Sequence, residues 1–223
     1  MPSLEERMRR LEKCSNFYLP IRAPVIVRVD GKCFRTLTKK LGTNFDNHLA
    51  NCMNSAAIEL CKEFGGSRFA YVCSDEISLL LTDFENRNSQ AFLDYRTNKL
   101  NSISASLASV QFTVQFGEKA LFDSRSISVP MMEVVNYFIW RQTDYIRNNI
   151  SSLAREHFSH KDLKNKNKSQ MIEMLKSKGV GYEEQKNQWK YGRCIIKDEN
   201  HNWKVDEEIP LFRENKDYIE CLF

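Results

Sequence analysis

The sequence predicts an α+β fold, in which an antiparallel β-sheet carries helices on one face. Short apolar runs bounded by Pro and Gly, such as residues 25–29, are typical of buried strands. Stretches with helical periodicity separate them, in the order strand, helix, hairpin, helix, strand. The length of 223 residues suits one large domain. We expect a catalytic core at residues 1–158 and a basic, helical C-terminal extension at residues 159–223 that completes the same domain.

Local signals delimit the elements along the chain. Ser3 and Glu6 form a capping box for the first helix. Asp46 opens the second helix, and Gly65-Gly66 closes it. From the N-terminus we predict a helix, a strand, a basic connection, a helix, a hairpin, a helix, a strand, a long helix and a short helix, at residues 3–14, 25–29, 34–40, 46–64, 68–82, 92–110, 122–130, 132–158 and 170–178.

Three carboxylates end predicted strands. Asp30 follows the first strand, and Asp75-Glu76 occupy the corner of the hairpin. Each signal alone is commonplace, because Asp-Gly pairs favour turns. Together they predict three carboxylates at one edge of one sheet, where like charges are costly unless cations neutralise them. Hard oxygen ligands suit Mg²⁺, which usually also contacts substrate phosphates. We therefore hypothesise a two-metal site for nucleotidyl transfer.

Composition excludes several other classes of protein. No apolar run approaches the roughly 20 residues that a membrane span needs. The polar, acidic start is unlike a signal peptide, so we expect a cytoplasmic protein without membrane contact. The seven cysteines show no Cys-x-x-Cys spacing, and neither a disulfide framework nor a zinc site is indicated. The net charge of +4 permits an anionic partner without demanding one.

Four motifs in order resemble the tRNA-histidine guanylyltransferase family, most closely its guanylyltransferase-like branch. They are Val27-Arg28-Val29-Asp30-Gly31-x-x-Phe34, Ser74-Asp75-Glu76-x-Ser78, Phe122-Asp123-Ser124-Arg125 and Trp140-Arg141-Gln142-x-Asp144. The resemblance covers about residues 20–200. It implies a palm-like fold similar to that of ordinary polymerases. It also implies addition of nucleotides to the 5′ end of tRNA in the 3′→5′ direction, after activation of a 5′-monophosphate by ATP or GTP.

The resemblance also assigns roles to individual residues. Asp30 and Asp75 would bind two Mg²⁺ ions with the backbone carbonyl of Gly31, and Glu76 would support that site. Nucleoside triphosphates would be held by Ser74, Arg96, Lys99 and Arg125. The family resemblance further implies a homotetramer with tRNA as its macromolecular partner.

Two departures from the family pattern affect the expected substrate. Ile146 stands where the guanylyltransferase branch has a histidine, which favours template-dependent repair of 5′-truncated tRNA over guanosine addition to histidine tRNA. Thr43 stands where the family has a lysine, and Lys39 or Lys40 is the candidate substitute.

The remaining candidates also have purely structural explanations, which the pattern alone favours. Contacts with RNA or nucleotide are one interpretation for Arg141, Asp144, Asn148 and Asn149 on the long helix, and for Lys164, Lys166 and Lys168 beyond it. A solvated helix face and a polar linker are the alternatives. At the level of function, two other classes stay open. One is a palm-fold nucleotide cyclase, although diguanylate cyclases carry Gly-Gly where Cys73-Ser74 stand here, and the other is a non-catalytic RNA-binding protein.

Overall fold

The computed structural model describes residues 2–38, residue 41 and residues 46–223. The predictions for Lys39, Lys40 and Thr43 lie outside the described residues. Six antiparallel strands form one sheet in the order β4-β1-β3-β2-β5-β6. They are β1 (Val25–Gly31), β2 (Ser67–Cys73), β3 (Glu76–Leu81), β4 (Phe122–Ser128), β5 (Arg193–Lys197) and β6 (Trp203–Asp206).

The described helices agree with most of the predicted ones within a few residues. They are α1 (Leu4–Lys13), α2 (Phe34–Thr38), α3 (Asn47–Glu63), α4 (Thr97–Phe116), α5 (Val134–His157), α6 (His160–Leu163), α7 (Lys168–Ser177), α8 (Asn187–Lys190) and α9 (Asp217–Glu220). The capping box of Ser3 and Glu6 is confirmed. The prediction of a basic connection at residues 34–40 was wrong in part, because α2 begins at Phe34. Within the described residues, no helix is both long and apolar enough to cross a membrane.

Helices cover both faces of the sheet. On one face, Val27 and Leu79 pack in a single cluster with Met53 of α3 and Phe112 of α4. On the other face, strand residues such as Leu80 pack against α5. The α+β class with an antiparallel sheet is confirmed, but helices are not confined to one face. All six residues of β3 are buried, as expected for a strand that is covered on both sides.

The C-terminal segment contains strands as well as helices. α6 and α7 pack on the second half of α5 through a cluster that includes Ile150 and Leu175. Beyond α8, β5 pairs with β2, and β6 pairs with β5. The extension is therefore not purely helical, because β5 and β6 widen the sheet between α8 and α9.

A tight turn brings the predicted catalytic residues to one end of the sheet. β2 and β3 are joined by Ser74 and Asp75 alone, and Ser74 adopts a φ of 53°. The backbone N–H of Gly31 donates a 3.0 Å hydrogen bond to the carbonyl of Asp75, which ties β1 to this turn. A Cβ atom at Gly31 would lie 2.3 Å from the ring of Phe34, so this position needs glycine.

Candidate active site

A row of three carboxylates crosses the end of the sheet. Asp30 lies directly opposite Glu76 of β3 and directly opposite Asp123 of β4. Residues directly opposite each other in an antiparallel pair point to the same face. Asp75 lies next to this row in the β2–β3 turn. Asp123 was missed from the sequence, because its place beside Asp30 follows from the pairing of β1 with β4, which no local pattern reveals.

The carboxylates are close enough to disturb one another. Burial, followed by the charges of Glu76 and Asp123, raises the pKa of Asp30 above its ordinary value. Burial, followed by the charge of Asp30, raises the pKa of Asp75 to about 6. Both shifts mean that ionisation of this pair is disfavoured in the absence of cations. The electrostatics therefore favour a site that binds positive charge.

A second row places cations beside the first. Arg28 lies two residues before Asp30 on the same strand, with Arg125 of β4 and Ser78 of β3 opposite it. Its Nε is 4.0 Å from a carboxylate oxygen of Glu76, and this buried nitrogen has no hydrogen-bond partner among the described residues. Strand alternation from Asp30 would have identified Arg28 from the sequence. The exposed Arg125 pairs with Asp123 at 3.1 Å.

Arg141 of α5 binds the carboxylate of Glu76. Its Nε and Nη2 donate to the two carboxylate oxygens at 2.8 and 2.5 Å, and both side chains are buried. The solvated-face interpretation of Arg141 was therefore wrong, because this part of α5 packs over the charged row of the sheet. Both oxygens of Glu76 are committed to a guanidinium in a bidentate pair.

The remaining donors suit a cation that takes few protein ligands. Within the described residues, no group of three or more His, Cys, Asp or Glu side chains is arranged to hold a metal ion. Glu76 is bound to Arg141, so of the three carboxylates Asp30 and Asp75 remain as the candidate ligands, as predicted for the metal site. Asp30, Asp75 and the carbonyl of Gly31 are hard oxygen donors. Mg²⁺ typically binds through one or two carboxylates together with substrate phosphates, so this donor set fits it.

Two adjoining cavities open beside the hairpin turn. The outer cavity, of about 380 Å³, is lined by Asp75 and the arginines Arg35 and Arg155 among others. The inner cavity, of about 80 Å³, extends between α3, α5, α8 and β5. The two cavities share Leu49, Ser74 and Ser152 as lining residues. Ser74 thus lies where a group in the outer cavity would meet a group in the inner one.

The structure does not bring Arg96 and Lys99 to the carboxylates. Arg96 was predicted to lie within a helix, but it is the residue that precedes α4. Lys99 lies in the first turn of α4. The buried Tyr95 before them is close to Asp83, which follows the end of β3. That is the end of the sheet opposite to Gly31, roughly 20 Å away along a seven-residue strand.

The candidates on α5 divide between two places. Asp144 forms ion pairs with Arg147 at 2.6 Å and with Arg141 at 3.5 Å. The second of these pairs helps to hold the guanidinium of Arg141 in place. Asn148 and Asn149 both line the inner cavity. The amide nitrogen of the buried Asn149 donates to the backbone carbonyl of Trp189.

The lysine candidates lie beyond the end of α5. Lys164 lines a small cavity of about 100 Å³ together with Arg155 and His160. Lys166 and Lys168 are exposed on the neighbouring turn and at the start of α7. Since Arg155 also lines the outer cavity, basic side chains continue from the hairpin carboxylates to this segment.

Comparisons with known proteins agree with this architecture. A family model for tRNAHis guanylyltransferase (Thg1) matches residues 5–133. A solved bacterial tRNA(His) guanylyltransferase (Thg1)-like protein in complex with ATP has a TM-score of 0.94 and 36% identity, over 99% of both chains. A bacterial Thg1-like protein in complex with GTP has a TM-score of 0.85 and 32% identity, again over 99% of both chains.

A curated relative is matched over a shorter stretch. A probable tRNA(His) guanylyltransferase of Dictyostelium discoideum is 34% identical over 138 residues, which are 56% of this chain and 52% of that protein. The chain therefore matches about half the length of this relative. The predicted family and the palm-like α+β fold are confirmed. Because the family model covers more than half of its residues, the chain belongs to the tRNAHis guanylyltransferase (Thg1) family, whose members are nucleotidyltransferases.

Proposed function

We propose that this protein adds nucleotides to the 5′ end of tRNA in the 3′→5′ direction and repairs 5′-truncated tRNA against a template. The observation that carries the proposal is the pair of partly buried carboxylates, Asp30 and Asp75, beside a cavity lined by arginines. In the first step an oxygen of the 5′-monophosphate attacks the α-phosphate of ATP or GTP, and pyrophosphate leaves. In the second step the 3′-hydroxyl of an incoming nucleoside triphosphate attacks the activated 5′-phosphate, and AMP or GMP leaves.

Both steps are phosphoryl transfers, in which catalysis depends on positioning and charge neutralisation. Asp30, Asp75 and the Gly31 carbonyl would hold two Mg²⁺ ions, which neutralise charge on phosphate oxygens when bound. Arg35 and Arg155, which line the outer cavity, would hold the phosphates in line. The hydroxyl of Ser74 would donate to a phosphate oxygen.

The packing of Ile146 supports repair over guanosine addition. Ile146 is buried in an apolar cluster with Ile150 and Leu153 on α5. The histidine of the guanylyltransferase branch is thus replaced by a side chain that has no ionisable group to offer a substrate. Addition of guanosine to histidine tRNA remains the alternative within the family.

The partner and the assembly are part of the same proposal. Lys164, Lys166 and Lys168 would contact the phosphate backbone of tRNA. Lys164 shares a small cavity with Arg155, which also lines the outer cavity, and the exposed Lys166 and Lys168 follow it in the chain. We further propose a homotetramer in the cytoplasm. Analytical ultracentrifugation of the purified protein, read as a mass near four chains of 26.2 kDa, tests the assembly.

The test is restoration of a shortened tRNA. The protein is incubated with Mg²⁺, ATP and the four nucleoside triphosphates, together with a 5′-monophosphorylated tRNA that lacks its first nucleotide. Asp75→Asn should be inactive, whereas Asp217→Asn, at the exposed start of α9, should retain activity. Changing the base opposite the missing position should change the added nucleotide to its complement.

Each alternative has its own readout in this assay. Guanosine added whatever the opposite base would replace templated repair with guanosine addition. A cyclic nucleotide formed without RNA would identify a cyclase. Nucleotide binding or RNA binding without activated or extended RNA, on every tRNA tried, would refute the polymerase proposal in favour of a non-catalytic RNA-binding protein.

A further inference from the structure

Arg193 is a buried cation that forms no salt bridge with any carboxylate in the described part of the chain. It begins β5 with 2% of its surface exposed. Its Nε donates a 2.7 Å hydrogen bond to Oδ1 of Asn54, and within the described part of the chain this is the only hydrogen bond of the guanidinium. Among the carboxylates described, Glu207 acts on this charge from beyond salt-bridge distance. Burial accordingly lowers the pKa of Arg193. A buried charge without a partner costs stability, so its retention calls for a ligand or a function.

The unbonded side of this guanidinium faces a space that a ligand can fill. Arg193 lines the inner cavity, whose wall also includes the indole of Trp189 and the amides of Asn148 and Asn149. Asn149 donates its amide nitrogen to the carbonyl of Trp189, and its side chain also interacts with the hydroxyl of Tyr182. The cavity therefore offers donors from Arg193 and an aromatic wall from Trp189.

The composition of the two cavities separates phosphate from base. The outer cavity is lined by the carboxylates of Asp75 and Glu156 and by two arginines, a mixture that suits phosphates bound together with a metal ion. The inner cavity contains the carboxylate of Asp46 and the apolar side chains of Leu49 and Ala50, which disfavour a polyanion. A neutral heterocycle with hydrogen-bond acceptors can accept hydrogen bonds from Arg193 without bringing a further charge into the inner cavity.

We propose that the inner cavity receives the purine base of a nucleoside triphosphate and that Arg193 donates to N7 of that base. N7 is an acceptor that adenine and guanine share and that pyrimidines lack, and arginine commonly donates to it. The assignment rests on the proposed function, because it places the triphosphate of the activating nucleotide in the outer cavity. The shared lining residues Leu49, Ser74 and Ser152 connect the two parts of that nucleotide.

Calorimetric titration with nucleotides tests the assignment without requiring an active RNA substrate. Arg193→Met should weaken binding of Mg·ATP and Mg·GTP by about tenfold or more, as expected for a lost hydrogen bond from a charged donor. Binding of inorganic tripolyphosphate, which has no base, should be unchanged. Arg68→Met, at a half-buried arginine that pairs with Glu85, is the matched control and should bind all three like the parent protein.

A modified ligand avoids dependence on the folding of the variant. The parent protein should bind 7-deaza-ATP about tenfold more weakly than ATP, and Arg193→Met should bind the two equally. Equal binding of ATP and 7-deaza-ATP by the parent would overturn the assignment. Equal weakening of tripolyphosphate and ATP by Arg193→Met would overturn it as well, since Arg193 would then hold phosphate. If purine selectivity holds while tRNA is never extended, the proposed function fails and the base site stands.

Discussion

The ion pair between Glu76 and Arg141 should dominate the stability of the catalytic end of the sheet. The two residues are 7% and 9% exposed, and both carboxylate oxygens are bonded to the guanidinium. Arg141→Met would leave the carboxylate with a Ser78 hydroxyl at 3.3 Å and the Nε of Arg28 at 4.0 Å. Removing one partner of a buried pair typically costs about 3–5 kcal/mol, because the other charge stays buried.

Urea denaturation of the parent protein and four variants measures this effect. Arg141→Met should lose about 3–5 kcal/mol of unfolding free energy, and Glu76→Gln should also be destabilised. The double variant should lose clearly less than the sum of the two single losses, since neither charge is then left alone. Arg125→Met is the matched control; its exposed pair with Asp123 should contribute less than about 1 kcal/mol.

Two results would refute the reasoning about this pair. One is a loss for Arg141→Met no larger than that for Arg125→Met. The other is strict additivity of the single variants at Arg141 and Glu76. Either result would mean that solvent or Arg28 compensates Glu76 after the change. The carboxylate of Glu76 would then be free to bind cations, and the metal ligands would have to be reassigned.

Three further predictions follow from the charges of the site. Asp75→Asn should abolish nucleotide addition, yet it should raise the unfolding free energy at pH 7.5 by about 1–3 kcal/mol. Burial raises the pKa of Asp75 to about 6 in the folded state, so the parent protein loses stability as the pH rises from about 4 through 6. The thermal stabilisation that a fixed Mg²⁺ concentration gives should be small at pH 5 and larger at pH 7.5, since the cation and the proton compete for Asp75. EDTA should abolish this stabilisation, and a stabilisation that does not change with pH would contradict the assignment of Asp75 as a ligand. Replacing Lys164, Lys166 and Lys168 together by Ala should weaken tRNA binding and reduce its salt slope by about 2, whereas Lys62→Ala should leave both unchanged.

The strands and the hairpin are predictable because their signals are local. Alternation, bounding prolines and glycines, and a two-residue turn at Ser74 and Asp75 all lie within one short stretch of chain. The carboxylate row is different, because Asp123 joins Asp30 only through a strand pairing between residues about 90 positions apart. Strand register of that kind depends on tertiary packing, and the sequence of either strand is compatible with several registers.

The long helix shows where periodicity is insufficient. A helical wheel correctly separates Ile146 and Ile150 from the polar side of α5. It also assigns Arg141 to a solvated face, since a wheel reports only the angle around the axis. The first half of α5 lies over the charged row of the sheet, and the polar side there is buried against Glu76. Which part of a polar face is solvated depends on what the neighbouring element presents.

Two buried arginines flank the hairpin, and their difference has a functional meaning. Arg141 is matched by Glu76, a residue 65 positions away, so its charge is complete within the folded chain. Arg193 has a neutral amide, that of Asn54, as its hydrogen-bond partner, and its charge lines a cavity. In the sequence both are isolated arginines near aromatic residues. Their roles separate only after folding: the matched one fixes the hairpin in place, and the unmatched one is left to recognise a ligand.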